Sequence, residues 1–85
     1  MSQFLKLDIV SPEKQLFSGE VESATFPGDK GRFTVLYNHA PIISTLGEGN
    51  IRWMQQGKEN SIAISGGFVE VENNKITACV EEKQE

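Results

Sequence analysis

Eighty-five residues, 38% hydrophobic and 24% charged, describe one globular domain spanning 1–85, with a core too small to enclose a deep catalytic cleft. Eight basic against twelve acidic residues give a net charge of −4, and the scattered cations form neither the basic face nucleic acid requires nor one for a membrane surface. No apolar run approaches the roughly 20 residues of a membrane span, so direct lipid insertion is not expected.

The amino terminus, Met-Ser-Gln-Phe-Leu-Lys, lacks the basic-then-apolar layout of a signal peptide. In Phe4–Val10, Leu5, Leu7 and Ile9 share one face and Lys6 and Asp8 the other, the period-two pattern of a half-buried strand. Ser11-Pro12-Glu13-Lys14 is a turn. Gln15–Phe26 carries Phe17, Val21 and Phe26 as apolar anchors, with Gly19 as an expected bulge or bend. Pro27-Gly28-Asp29-Lys30-Gly31 is the densest turn signal in the chain, a polar tip between two strands.

Two apolar runs follow, Phe33–Tyr37 and Ile42–Thr45, joined by Asn38-His39-Ala40-Pro41. Pro41 has no backbone N–H and pushes Ala40 toward an extended conformation, so two strands meeting at a fixed corner are predicted. Leu46-Gly47-Glu48-Gly49-Asn50 turns the chain. In the next strand Ile51 and Trp53 face one way and Arg52 and Met54 the other. Gly57-Lys58-Glu59-Asn60 turns again, and Ser61–Ser65 alternates through Ile62 and Ile64. Gly66-Gly67 is expected to break the chain before Phe68–Glu72, which places either Phe68 or Val69 and Val71 inward. Asn73-Asn74 reads as a two-residue hairpin turn, because asparagine tolerates positive φ. Lys75–Val80 closes with Ile76, Ala78 and Val80 on one face, and a frayed charged tail is predicted from Glu81. Strand-like runs every 8–12 residues, with no helical period over eleven or more, belong to an all-β sandwich or barrel.

Chemistry has little to work with. One histidine and one cysteine, far apart, do not supply a metal site, and no cofactor is expected. His39 is the sole general-base candidate, but no nucleophile-elbow sequence accompanies it, so a backbone hydrogen bond or a contact role is favoured over catalysis. Gly47-Glu48-Gly49 reaches Arg52 where a dinucleotide fingerprint needs a third glycine, and Gly66-Gly67 lacks the lysine of a phosphate loop. Cys79 cannot form an internal disulfide, and a reducing cytoplasmic setting is the simplest compartment. Phe4, Leu36, Tyr37, Ile43, Met54 and one of Phe68 or Val69 do not all fit the inward alternation. A thin sandwich leaves some of them exposed as an apolar patch for a protein partner.

Five stretches taken together, Leu7-Asp-Ile-Val-Ser-Pro-Glu, Leu16-Phe-Ser-Gly-Glu-Val-Glu, Asn38-His-Ala-Pro-Ile-Ile, Gly49-Asn-Ile-Arg and Ser65-Gly-Gly-Phe-Val-Glu-Val, closely resemble the amino-terminal domain of ATP synthase epsilon subunits. The resemblance runs from about Phe4 to Val80. It implies a flattened β-sandwich of two sheets with eight to ten short strands. It implies a non-catalytic rotor subunit of the central stalk, peripheral at the cytoplasmic face of the energy-transducing membrane. There it would join the gamma subunit to the c-ring and couple proton transport to ATP synthesis. The tip Gly28-Asp29-Lys30-Gly31-Arg32 matches the loop that approaches the c-ring, although the family often carries an acidic residue where Arg32 stands. His39-Ala40-Pro41 and Ser11 match positions that lie toward gamma, with Asn38 in place of a usual glycine and Tyr37 in place of a usual proline. Most bacterial members continue into two C-terminal helices that regulate the enzyme and in some bind ATP; this sequence ends at Glu85, where that segment would begin. The competing readings are a stand-alone sandwich that binds a peptide or carbohydrate, and a small hydrolase built around His39.

Overall fold

The computed structural model describes residues 3–83, and among them the chain forms eight strands and no helix. They are β1 (Leu5–Val10), β2 (Gln15–Val21), β3 (Ser23–Gly28), β4 (Gly31–Val35), β5 (Ile42–Leu46), β6 (Gly49–Gln55), β7 (Lys58–Glu72) and β8 (Lys75–Glu82). One layer runs β2-β1-β8-β7-β5, and the other runs β4-β3-β6-β7. The fifteen-residue β7 belongs to both: Lys58–Ile64 pairs with β6, whereas Gly67–Val71 pairs with β5. The body measures 41 × 23 × 20 Å.

The core is what the alternation predicts. Leu5, Leu7 and Ile9 of β1, Ile51 and Trp53 of β6, and Ile76, Ala78 and Val80 of β8 are all buried. They pack with Val21, Ala24, Phe26, Val35, Leu46, Ile64, Val69 and Val71 between the layers. At about 25 cal/mol per Å² of apolar surface removed from water, this packing is the main favourable term of folding. Phe17 of β2 stacks on Trp53 at a centroid distance of 4.6 Å, which brings one edge of the first layer onto the second.

Two one-residue slips shape the sheet. Ile9 pairs with Phe17 but Val10 pairs with Gln15, so Leu16 is extra, and the bulge lies there rather than at Gly19, which pairs in register with Leu7. In β7, Ile64 pairs with Glu82 and Gly66 with Glu81, so Ser65 is extra. A bulge shifts the side-chain phase by one. Inward residues are therefore even before it (Ile62, Ile64) and odd after it (Val69, Val71), and Phe68 is turned out. Gly66-Gly67 bends the strand without ending it. A Cβ on Gly67, which has φ 147°, would lie 2.2 Å from the Cys79 carbonyl oxygen, so only glycine lets β8 approach this closely.

Other boundaries differ from the sequence pattern. The run Gln15–Phe26 is two strands, separated at Glu22. Pro27 and Gly28 lie inside β3, so the tip turn is Asp29-Lys30 alone. β4 ends at Val35, and β7 begins at Lys58, immediately after the Gln56-Gly57 turn. Glu81 and Glu82 continue β8 instead of fraying, and the Lys83 N–H donates to the Ala63 carbonyl at 3.0 Å. Gln84 and Glu85, the rest of that tail, lie outside the described residues, as do Met1 and Ser2.

The two runs flanking the His39 corner do not pair with each other. β4 pairs with β3, and β5 pairs with β7. The β1–β8 pairing is parallel, joining the first and last strands.

Candidate partner interface

The outward faces of the two layers differ in chemistry. On the second, Thr25 and Thr34 share a hydrogen bond of 2.9 Å between their hydroxyls, with Arg52 and Ser61 in the adjoining positions. On the first, the register sets Val10, Cys79, Phe68 and Thr45 in one row across four strands. The next row is Asp8, Thr77, Glu70 and Ile43. Ile43 is 80% exposed and Phe68 49%, large apolar side chains left in solvent on an otherwise well-packed body. Phe4, Leu36 and Tyr37 are also exposed, whereas Met54 is half-buried and Val69 buried.

Phe68 stands between two open hollows. One, of about 360 Å³, is lined by Val10, Ser11, Pro12, Gly67, Cys79 and Val80 among others. The other, of about 400 Å³, is lined by Asp29, Lys30, Ile43, Ser44 and Thr45. The fold thus brings Ser11 and the tip residues Asp29 and Lys30 to either side of one exposed ring. The tip is fastened: the Asp29 N–H donates to the Thr45 carbonyl at 3.1 Å, the Gly47 N–H to the Pro27 carbonyl at 2.8 Å, and Gly28 pairs with both Gly31 and Leu46. Arg32 points elsewhere, its guanidinium reaching the Asn50 carbonyl at 3.4 Å on the second layer.

His39, Ala40 and Pro41 do not join this group. β5 runs from Ile42 beside the corner to Leu46 beside Gly28, so the corner and the tip sit at opposite ends of that strand. The His39 N–H donates to the Leu36 carbonyl at 3.0 Å, and ring Nδ1 lies 2.8 Å from the Ala40 carbonyl oxygen. A carbonyl only accepts, so Nδ1 carries the proton. The backbone partner predicted for His39 is present. Its hollow, about 300 Å³, is lined by Asn38, His39, Ala40, Pro41, Asn73 and Asn74, with no hydroxyl, thiol or carboxylate side chain. Nothing in that lining is a nucleophile or an orienting acid. Asn38 takes φ 65°, a left-handed conformation that asparagine tolerates better than most residues.

On the first layer Lys6 and Asp8 form an ion pair. Ser18 donates to Asp8 at 2.6 Å, and Lys6 donates to both Asp8, at 3.1 Å, and Ser18, at 2.8 Å. The Ser18 hydroxyl, assisted by the Lys6 ammonium, holds the Asp8 carboxyl below its usual range against the opposing effect of burial. Lys83, at 2.6 Å, lowers Glu48 in the same sense and ties the end of the chain to the β5–β6 turn. Among the described residues no group of three or more His, Cys, Asp and Glu is placed to hold a metal ion.

The model of the ATP synthase delta/epsilon chain beta-sandwich domain matches residues 4–84. The chain belongs to that family. An ATP synthase epsilon chain from a Nitratiruptor species is 49% identical over 78 residues, covering 91% of this chain and 60% of that one. The same fold is present in solved structures. A chain in the Euglena gracilis mitochondrial ATP synthase (OSCP/F1/c-ring, rotational state 1) superposes with a TM-score of 0.89 at 21% identity, over 96% of this chain and 53% of that one. A chain in the central stalk/c-ring structure of the Tetrahymena thermophila mitochondrial enzyme gives 0.78 at 13% identity, over 92% and 63%. The chain spans about three-fifths of the length of the curated epsilon chains it matches, from 54% to 62%.

The alternation alone marks Ile43, and one of Phe68 or Val69, as misfits of the inward pattern, but it does not set Val10 and Cys79 beside them. Their signal is parity: both occupy the positions opposite the buried Leu5-Leu7-Ile9 and Ile76-Ala78-Val80 sets. Trp53, the one tryptophan, is only 7% exposed and stacked on Phe17, so no loop aromatic of the kind a carbohydrate-binding surface uses is formed by it.

Proposed function

We propose that this chain is the sandwich part of a non-catalytic rotor subunit in the central stalk of a rotary ATP synthase. It joins the gamma subunit to the c-ring and so couples ion flow to ATP synthesis, at the cytoplasmic face of the energy-transducing membrane. The observation that carries this reading is the family match over nearly the whole chain. The fold supplies a physical reason. All eight strands belong to one hydrogen-bonded network, so a force applied at one end travels along covalent strands and ladders instead of being lost in a hinge. Gamma lies along the outer face of the first layer, from Ser11 past Phe68 and Ile43 to Pro41 and His39. The ring loops meet the fastened Gly28–Arg32 tip, where Asp29, Lys30 and Arg32 are exposed.

Tagging the chain in its host and identifying what co-purifies tests this. Recovery of gamma and c subunits supports it. Their absence, with the chain folded and abundant, overturns it.

A further inference from the structure

The β7–β8 hairpin and the His39 corner hold each other across thirty-six residues of sequence. The Asn38 backbone N–H donates to Asn74 Oδ1 at 2.6 Å, and Asn74 Nδ2 donates to Asn38 Oδ1 at 3.1 Å. The first bond orients the second. A backbone N–H can only donate, so Oδ1 must face it, and the amide nitrogen is then delivered to the Asn38 oxygen. The Asn74 carbonyl also accepts from the Lys6 N–H at 2.9 Å. Both asparagines sit in the left-handed region, Asn38 at 65° and Asn74 at 63°. One residue therefore ties together the start of β1, the β7–β8 hairpin and the corner.

The corner has few other anchors. Leu36–Pro41 lies between β4 and β5 and contributes to neither strand. All its residues except His39 are exposed. Apart from the clasp, the corner's hydrogen bonds among the described residues are local: His39 N–H to the Leu36 carbonyl, and the ring to Ala40. A segment held only by local bonds and exposed to solvent opens at low free energy.

We infer that Asn74 is a positioning residue for the corner: the Asn38–Asn74 clasp holds His39-Ala40-Pro41 in docking geometry before the partner arrives. This rests on the reading of the corner as a partner-facing surface. Without the clasp, only a fraction of free molecules present the corner correctly, and the apparent Kd rises by the reciprocal of that fraction. Two hydrogen bonds in the lower half of the ordinary net strength correspond to a rise of roughly 5- to 30-fold.

Glycine at position 74 makes a clean deletion, because it accepts φ 63° and retains the carbonyl bond to Lys6 while losing only the side-chain amide. Asn74→Asp keeps an oxygen for the Asn38 N–H but loses the donor. Binding of wild type, Asn74→Gly, Asn74→Asp and His39→Ala to host F1 stripped of this subunit is measured beside amide exchange at Asn38 and His39. Asn74→Gly should stay folded, exchange faster at Asn38 and bind roughly 5- to 30-fold more weakly, with Asn74→Asp intermediate. Wild-type affinity in Asn74→Gly, despite faster exchange and with His39→Ala impaired, overturns the positioning role and leaves the docking reading standing. Wild-type affinity in all three variants overturns both.

Discussion

Alanine at Gly67 tests the point where one strand serves two layers. A Cβ there meets the Cys79 carbonyl oxygen at 2.2 Å, Val80 Cα at 2.8 Å and the Cys79 carbonyl carbon at 3.1 Å. All three are backbone atoms of β8, so no side-chain rotation relieves the clash. Real Cβ contacts essentially never fall below 3.0 Å, and β8 must retreat by roughly 0.8 Å. That retreat weakens the ladder at Gly67–Val80 and Phe68–Cys79, adds overpacking of about 1–3 kcal/mol, and forces alanine to φ 147° at a further cost of about 1–3 kcal/mol. The expected loss is about 2–6 kcal/mol, a large part of the roughly 4–13 kcal/mol available to a chain of this length. Gly66 is the control. A Cβ there meets nothing closer than the Leu46 carbonyl oxygen at 3.5 Å, an ordinary contact, so Gly66→Ala should be within about 1 kcal/mol of wild type or slightly stabilising. Urea unfolding followed by Trp53 emission compares the three chains, since that indole is buried against Phe17 and becomes exposed on unfolding. Equal losses at both glycines, or a Gly67→Ala loss under about 1 kcal/mol, would refute the close-approach argument.

Ile43→Ser should change stability by less than about 0.5 kcal/mol, because the side chain is 80% exposed, yet weaken capture of gamma if the proposed docking face is right; Phe26→Ala, fully buried, should cost about 3–5 kcal/mol. Co-purification and urea midpoints separate the two effects. Arg32→Glu removes only a 3.4 Å bond to Asn50, so the fold should persist while, on the proposed c-ring contact, the salt dependence of binding changes; an unchanged salt profile excludes a charged contact there. The lowered Asp8 carboxyl contributes stability that is present above the unfolded carboxylate range, near pH 4, and lost as pH falls through its folded value. Ser18→Ala should therefore lower stability at neutral pH and converge with wild type in acid, and a constant difference across pH removes that reasoning. Asn73 has φ 52°, so Asn73→Ala should cost about 1 kcal/mol in thermal or urea unfolding, and Asn73→Gly should not.

Much of the fold is legible in the alternation. Leu5-Leu7-Ile9, Ile51-Trp53 and Ile76-Ala78-Val80 name their buried faces directly, and Asn73-Asn74 names its turn. The ambiguity at Phe68 against Val69 has a physical origin. The parity of β7 reverses at the Ser65 bulge, and a local pattern cannot indicate where an extra residue has been absorbed. The Gly66-Gly67 pair reads as a break for a related reason. Glycine signals that a Cβ is unwelcome, but whether the chain turns there or lies tight against a neighbour depends on that neighbour, here the β8 backbone.

The order of residue types by itself determined that the chain is all-β, which faces of β1, β6 and β8 enter the core, and that some apolar side chains are left over. These follow from a period of two and from burial, both local properties. Only the tertiary structure decided that β1 lies parallel to β8, that Ser11 and the Asp29-Lys30 tip share the neighbourhood of Phe68, and that the His39 corner stands at the far end of β5, clasped by Asn74. Those facts depend on pairings between distant strands, and a strand's own sequence specifies the face it buries far more strongly than the partner beside it.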